Sequence, residues 1–273
     1  MSETTEAMWR KLLLGPVPDM RFMRGLALRL PSPPRCELCA VPFKGPLAAL
    51  LRPFGKGPFP RNPRYCVGCC ANLIKHKGGI ELTLSFLFAD VRGSTPLGER
   101  LGPTGLHSLM DRFYDVGVRA LIGRGALLDR FMGDQVVGYF TPAFAGPNHA
   151  RQAVLSAMDI LRATGHEDAE PWVPVGAGVH TGVAFVGSVG PGGDVAELTA
   201  IGDAVNVAAR LASVAAAGEI VVSEDAFRAS ALGGDPDRRR LSLKGVSEPV
   251  EVRVLRLAPP LQPTAAEVPE DGQ

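Results

Sequence analysis

The chain has no run of about 18 or more apolar residues, which excludes a helix spanning a bilayer. Its longest apolar stretches are broken by arginine, glycine or proline. The opening, MSETTEAMWRK, puts acids before its first base and lacks an apolar core. No secretory signal is expected, and the cytoplasm is the expected compartment. Net charge is scarce: 29 Lys and Arg stand against 28 Asp and Glu. Cysteine is absent after Cys70, so no disulfide framework runs through the chain. What is present is an ordinary globular composition, 46 % apolar and 21 % charged. It excludes a wholly disordered, collagen-like or coiled-coil chain. At about 150 residues per domain, 273 residues suit one large domain or two modest ones.

The near-neutral total hides two unlike halves. Residues 1–80 hold 13 bases and 4 acids, whereas residues 81–273 hold 16 and 24. All five cysteines lie in the basic half. Two modules of different character are expected.

Residues 1–35 read as a helical or linker segment. Met8–Leu14 and Met20–Leu30 suit short amphipathic helices, parted at Gly15-Pro16-Val17-Pro18. Arg21, Arg24 and Arg29 would also suit a helix lying on a membrane surface. Residues 36–77 are rich in Pro, Gly, Lys and Arg, so regular elements are expected to be scarce. Such a segment needs something other than a core to hold it. Its cysteines are spaced Cys36-x2-Cys39, then 26 residues, then Cys66-x2-Cys69, with Cys70 left over. Two CxxC pairs are the ligand pattern of a structural Cys₄ zinc site. An iron–sulfur centre uses the same four thiolates, and free thiols are the remaining alternative. Lys44, Arg52, Lys56, Arg61 and Arg64 lie between the knuckles as a solvated basic loop. Nucleic acid is not an expected partner, because the larger half of the chain is acidic.

Residues 82–257 alternate between strand and helix signals. LTLSFLFADV, residues 82–91, is a near-continuous apolar strand of a sheet interior. Residues 96–122 fit a helix or helix pair, and residues 125–140 a hairpin turning at Gly133-Asp134. Residues 148–164 fit a helix capped by Asn148. Residues 173–190 read as two strands turning near Thr181-Gly182. Residues 203–217 fit a helix closed by Gly218, residues 219–223 a strand, and residues 239–245 with 249–257 a closing hairpin. The order predicts an α+β fold, with helices over one face of a mostly antiparallel sheet. The tail, residues 258–273, has four prolines and no apolar period, and is expected to be disordered.

Three stretches carry chemistry. In FADVRGST, Asp90 ends a buried strand, where an acid is costly unless it is paired or binds a cation. The following Gly93-Ser94-Thr95 can turn backbone N–H groups toward a phosphate. In RFMGDQ, Asp134 sits in the hairpin turn, an ordinary turn residue when taken alone. Two strand-end carboxylates in one sheet are what hard divalent cations require. In TAIGDAVNVAAR, Asn206 and Arg210 share one helix face at i and i+4. Arg210 offers a planar fork of donors to phosphate oxygens.

Together, FADVRGST, RFMGDQVVGYF, GAGVHTGVAFVGSVG, TAIGDAVNVAARL and LKGVSEPVEV resemble, in order and spacing, the catalytic domain of class III nucleotidyl cyclases. The resemblance covers residues 82–257. It implies a ferredoxin-like sheet, preceded here by the small Cys-rich module, and a head-to-tail homodimer with sites at the subunit interface. It implies that Asp90, Asp134 and the Val91 carbonyl hold two Mg²⁺ or Mn²⁺ ions, and that Asn206 orients the ribose. It further implies that Arg210 stabilises charge on the α-phosphate, while Lys244 and the loop Gly93, Ser94, Thr95 contact the phosphates. The implied reaction converts ATP to 3′,5′-cyclic AMP and pyrophosphate.

The base-reading positions depart from the family pattern. Arg130 stands where adenylate cyclases commonly carry lysine, and Thr199 occupies the second position. Arg130 can donate to adenine N1 and Thr199 can accept from the 6-amino group, which favours ATP. Arg130 can equally donate to guanine O6, so a guanylate cyclase is the alternative. A weakly active, nucleotide-binding pseudo-cyclase with a regulatory zinc module is another. His180 is read as a structural histidine at a strand end.

Overall fold

A computed structural model describes residues 3–15, 18–29, 34–60, 62–129, 133–167, 170–192, 195–246 and 248–257. The expected disordered tail and Arg130 lie outside the described residues. Along the chain run helices α1 (Glu3–Leu13), α2 (Pro18–Leu28) and α3 (Pro46–Leu51), then strands β1 (Pro58–Phe59) and β2 (Asn62–Cys66), then helix α4 (Val67–Lys75). There follow β3 (Gly78–Val91), α5 (Ser94–Gly123), β4 (Leu127–Leu128), β5 (Gln135–Phe140), α6 (Pro142–Ala145) and α7 (His149–Ala163). The remainder comprises β6 (Val175–Gly192), β7 (Val195–Ile201), α8 (Asp203–Val214), β8 (Ile220–Ser223), α9 (Glu224–Ser230), β9 (Asp237–Leu241) and β10 (Val250–Leu255). Among the described residues, no helix is long and apolar enough to cross a membrane.

One eight-stranded sheet organises the molecule in the order β4-β5-β3-β6-β8-β10-β9, with β7 also on β6. All of its pairs are antiparallel except β6 with β8. Strand β3 is apolar nearly throughout because both of its faces are covered. Ile80, Leu82, Leu84, Phe86 and Phe88 enter one apolar cluster, while Leu87, Ala89 and Val91 enter another. This is the strand period of two, read out as two cores. Helices α5, α7 and α9 bury Phe113, Leu121, Val154, Ile160 and Phe227 in the second cluster. Helix α8 lies on the opposite face, as do α1 and the cysteine segment. Helix α5 is in fact a pair, broken where Gly102 leaves helical geometry (φ 67°) just before Pro103.

Four expectations need correction. Residues 175–192 form one continuous strand, and the chain does not turn at Thr181-Gly182. Strand β3 pairs residue by residue with 175–188 of it, through the expected turn, Ser85 opposite Thr181 and Leu84 opposite Gly182. The glycines there serve close packing: a β-carbon at Gly178 would collide with the backbone of Ala208 and Ala212 in α8. Second, the cysteine segment is richer in regular elements than expected, and it shares a core. Leu38, Phe43, Tyr65, Cys70 and Leu73 join the cluster that holds Leu82, Phe86 and Tyr139. The segment finds on the sheet the apolar surface it lacks by itself. Third, α2 does not offer Arg24 to a membrane, because Arg24 is buried among backbone carbonyls. Helix α1 likewise buries Trp9, Leu12 and Leu13, and the Trp9 indole donates to the His76 carbonyl at 2.9 Å. Fourth, α8 ends at Val214, before Gly218, and Asn148 precedes α7 without a side-chain capping bond.

Candidate active site and cysteine cluster

The pleat places Asp90 on the same face of β3 as Phe86 and Phe88, the face that carries α8. Its neighbours in register are Gln135 of β5 and Gly176 of β6. The turn before β5 delivers Asp134 to it. Gly133 takes φ 65°, the Tyr114 hydroxyl donates to the Gly133 carbonyl, and the Val91 N–H donates to the Asp134 carbonyl at 3.1 Å. The two carboxylates lie close enough for Asp134 to raise the Asp90 pKa.

The Asp90 carboxyl is only 14 % exposed. One of its oxygens pairs with the Arg92 guanidinium, while the other, Oδ1, is buried with no partner. Burial pushes its pKa up to about 6; Arg92 opposes that rise and Asp134 adds to it. A half-buried carboxylate with a buried orphan oxygen, facing a second carboxylate, fits a hard divalent cation. Asp90 and Asp134 would hold it, with buried Val91 between Asp90 and the turn.

Next to this pair, Gly93 is left-handed (φ 65°) and opens α5 with Ser94 and Thr95. Its carbonyl accepts the Leu97 N–H at 3.0 Å, so the first turn of α5 is formed with Ser94 and Thr95 at its N-terminus, where phosphates bind well. Arg92 also donates to the Ser213 carbonyl at 3.1 Å, tying this loop to the last turn of α8.

Helix α8 buries Ala204, Ala208, Leu211 and Ala212 and leaves Asn206 and Arg210 exposed. Among the described residues, no hydrogen bond joins this pair to Asp90 or Asp134. Lys244 is exposed in the turn after β9, beside the buried Leu243. The structure thus brings Asp90, Asp134 and the Gly93 turn together, and presents Asn206, Arg210 and Lys244 outward.

Thr199 lies on β7 opposite Gly187, half-buried. Its side chain meets the Tyr139 hydroxyl, which also donates to the Asp129 carboxylate. Burial raises the Tyr139 pKa well above its ordinary value, so the phenol stays protonated as a donor. Asp129, the residue before Arg130 in the sequence, and Thr199 thus meet at the Tyr139 hydroxyl. The sequence reading missed Asp129 and Tyr139. The signal was an acid adjoining the arginine and a tyrosine at the far end of the same hairpin. His180 is structural, hydrogen-bonded through Nδ1 to Ser223 Oγ at 2.8 Å.

The sulfur atoms of Cys36, Cys39, Cys66 and Cys69 lie within 4.8 Å of one another. The Cys66 N–H donates to Cys36 Sγ at 3.2 Å, and Cys39 Sγ lies 3.8 Å from Cys66 Sγ. Zinc–sulfur bonds of about 2.3 Å in a tetrahedron require sulfurs about 3.8 Å apart, so the donor set fits that ion. The thiols do not titrate alike: hydrogen bonds within the cluster lower Cys66 and Cys39, the latter to about 7, and raise Cys36 and Cys69. Cys70 turns into the core instead of joining them.

Facing carboxylates beside an exposed helix N-terminus are the equipment of a protein that handles a cation-bound nucleotide phosphate. The chain belongs to the adenylate and guanylate cyclase catalytic domain family, whose model matches residues 81–251. It is 29 % identical over 134 residues to an adenylate cyclase of Anabaena cylindrica, covering 47 % of this chain and 26 % of that protein. It is 28 % identical over 181 residues to adenylate cyclase 1 of Rhizobium meliloti, covering 61 % and 27 %. The chain therefore spans about a quarter of the length of these curated relatives. Among solved structures it resembles the guanylyl cyclase Cya2 (26 % identity, TM-score 0.57, 68 % of this chain and 98 % of that one). It also resembles the adenylyl cyclase CyaB of P. aeruginosa (28 %, 0.57, 65 % and 96 %).

Proposed function

We propose that the chain is an adenylate cyclase that converts ATP to 3′,5′-cyclic AMP and pyrophosphate in the cytoplasm. The observation that carries this reading is the partnerless, buried Oδ1 of Asp90 facing Asp134. Asp90, Asp134 and the Val91 carbonyl would hold two Mg²⁺ or Mn²⁺ ions. Bound there, the ions would acidify the ribose 3′-hydroxyl and neutralise the triphosphate and the leaving pyrophosphate. Gly93, Ser94 and Thr95 bind phosphate oxygens through the N-terminus of α5. Asn206 holds the ribose so that its 3′-oxygen lies in line with the α-phosphorus. Arg210 stabilises charge on that phosphate, a role worth about 3–4 kcal/mol. Lys244 binds the terminal phosphates, and Arg130 with Thr199 reads the base.

Asn206 and Arg210 point outward from α8, which suits a site completed by a second copy. A homodimer then has two equivalent sites, each taking its carboxylates from one protomer and its Asn–Arg pair from the partner. The Cys₄ cluster is assigned a structural Zn²⁺. One observation favours GTP as a second reading: the Asp129 carboxylate beside Thr199 can accept from guanine N1–H and its 2-amino group.

The test is product formation by the purified chain with ATP or GTP and Mn²⁺. Cyclic AMP with equimolar pyrophosphate is expected. Cyclic GMP alone would move the reading to guanylate cyclase, and no product from either would remove it. Mixing the inactive variants Asp90→Ala and Arg210→Ala tests the shared site. Random pairing would restore about a quarter of wild-type activity, because half of the dimers carry one intact site. No recovery would contradict composite sites.

A further inference from the structure

The cysteine cluster is joined to the segments that carry Asp129 and Thr199 by a short set of contacts. Its first knuckle spans Cys36 to Cys39, with Glu37 and Leu38 inside it. Arg24 of α2, 4 % exposed, donates to the carbonyls of Glu37 at 2.7 Å and Leu38 at 2.6 Å. The same guanidinium donates to the Ala126 carbonyl at 2.8 Å, immediately before β4, and lies 5.4 Å from the Phe144 ring centre. Arg64 flanks the second knuckle. It donates through Nε to both carboxylate oxygens of Glu37 at 2.9 Å and through Nη2 to the Leu128 carbonyl at 3.4 Å. Tyr65, next to Cys66, accepts the Leu198 N–H on its hydroxyl at 3.4 Å. Glu37, Leu38, Tyr65, Leu127, Leu128 and Leu198 close around a void of only about 10 Å³, so this seam is tightly packed.

The Leu128 and Leu198 contacts end one residue before Asp129 and Thr199, and the Ala126 contact ends three residues before Asp129. Leu128 precedes Asp129 and Arg130, and Leu198 precedes Thr199. Asp129 and Thr199 meet at the Tyr139 hydroxyl. Among the described residues, no hydrogen bond runs from the cysteine segment to Asp90, Asp134, Asn206 or Arg210. The segment therefore reaches the base end of the site and not its phosphate end.

We infer that Arg24, Glu37 and Arg64 are positioning residues for the base subsite, through which the state of the cysteine cluster sets nucleobase affinity and selection. This inference rests on the nucleotide-binding reading above. A filled cluster fixes the two knuckles, and their carbonyls and the Glu37 carboxylate then fix β4. An emptied cluster loosens the same carbonyls, and β4 with Leu198 shifts against Tyr139. The effect falls on the base and leaves in-line attack largely intact.

The test compares wild type with Arg64→Lys, Glu37→Gln and Cys39→Ser. Equilibrium binding of non-cyclisable ATP and GTP analogues is measured beside kcat and KM, with bound zinc per chain determined by metal analysis. Arg64→Lys keeps the charge but loses the fork, and is expected to retain zinc. All three variants should weaken binding of the preferred nucleotide about five- to tenfold and shift the ATP/GTP ratio of kcat/KM by a similar factor, with kcat within about twofold. Inorganic tripolyphosphate should bind equally to all. A purely structural role would lower both nucleotides together and leave the ratio unmoved, because both substrates sample the same folded fraction; that result overturns the inference. It is equally overturned if wild type discriminates and the variants match it. A wild type that binds neither nucleotide overturns the underlying reading as well.

Discussion

Two strand-end carboxylates of the same sheet, one buried and one half-buried, have opposite surroundings. Glu219, 5 % exposed just before β8, accepts from Arg239 at 2.9 and 3.2 Å, from Arg256, and from the Ala216 N–H at 3.1 Å. The Arg239 hydrogen bonds foremost hold its pKa down to about 2. Asp90, at the end of β3, has one cationic partner, an orphan oxygen and an opposing Asp134, and its pKa rises to about 6. A carboxylate with its full set of partners stabilises the fold. One left short of partners weakens the fold and is ready for a ligand that supplies the missing positive charge.

The comparison is broken most severely at the ligand-ready end. Asp90→Asn or Asp134→Asn should reduce turnover by about 10³-fold or more, since several kcal/mol of charge stabilisation is lost. Thermal unfolding should show the Asp90→Asn midpoint unchanged or raised, because a costly buried charge is gone. Next, Arg210→Ala should lower kcat by about 10²- to 10³-fold, with the midpoint unchanged for an exposed helix residue. Glu219→Gln should do the reverse: turnover per folded chain is kept, and stability falls by roughly 2 kcal/mol, seen as a midpoint lower by about 4–8 °C. The smallest effect is in pH. Because folding depresses the Glu219 pKa, its contribution is fully present above the ordinary value of 4.5 and is lost as pH falls toward about 2. Wild type should therefore lose more stability over that window than Glu219→Gln does. Parallel curves for the two proteins would contradict the assignment.

Much of this was legible in the sequence, and the failures have physical causes. Strand β3 was readable because both of its faces are buried, leaving an apolar run that ends in Asp90. The hairpin turn at Gly133-Asp134 was readable from its turn chemistry. The continuity of β6 was not, since Thr181-Gly182 carries the local signature of a turn. Pairing with β3 on both sides of it, from 175 to 188, overrides that preference, and the glycines answer to α8 above them. The four-cysteine cluster was visible as spacing, but its attachment to the sheet was not. Arg24 looked like one basic residue among several, and only tertiary structure shows its guanidinium spending its donors on three backbone carbonyls. Tyr139 and Asp129 escaped for the same reason, because Thr199, which completes their contact, is distant in sequence.

The most direct test of the central claim is cyclic AMP and pyrophosphate formation from ATP across a Mn²⁺ titration, with wild type and Asp90→Asn side by side. The account predicts saturable, Mn²⁺-dependent production of both products in equal amounts by wild type, and essentially none by Asp90→Asn at any Mn²⁺ concentration. Full activity of Asp90→Asn, or wild-type turnover that is indifferent to divalent cations, would contradict it.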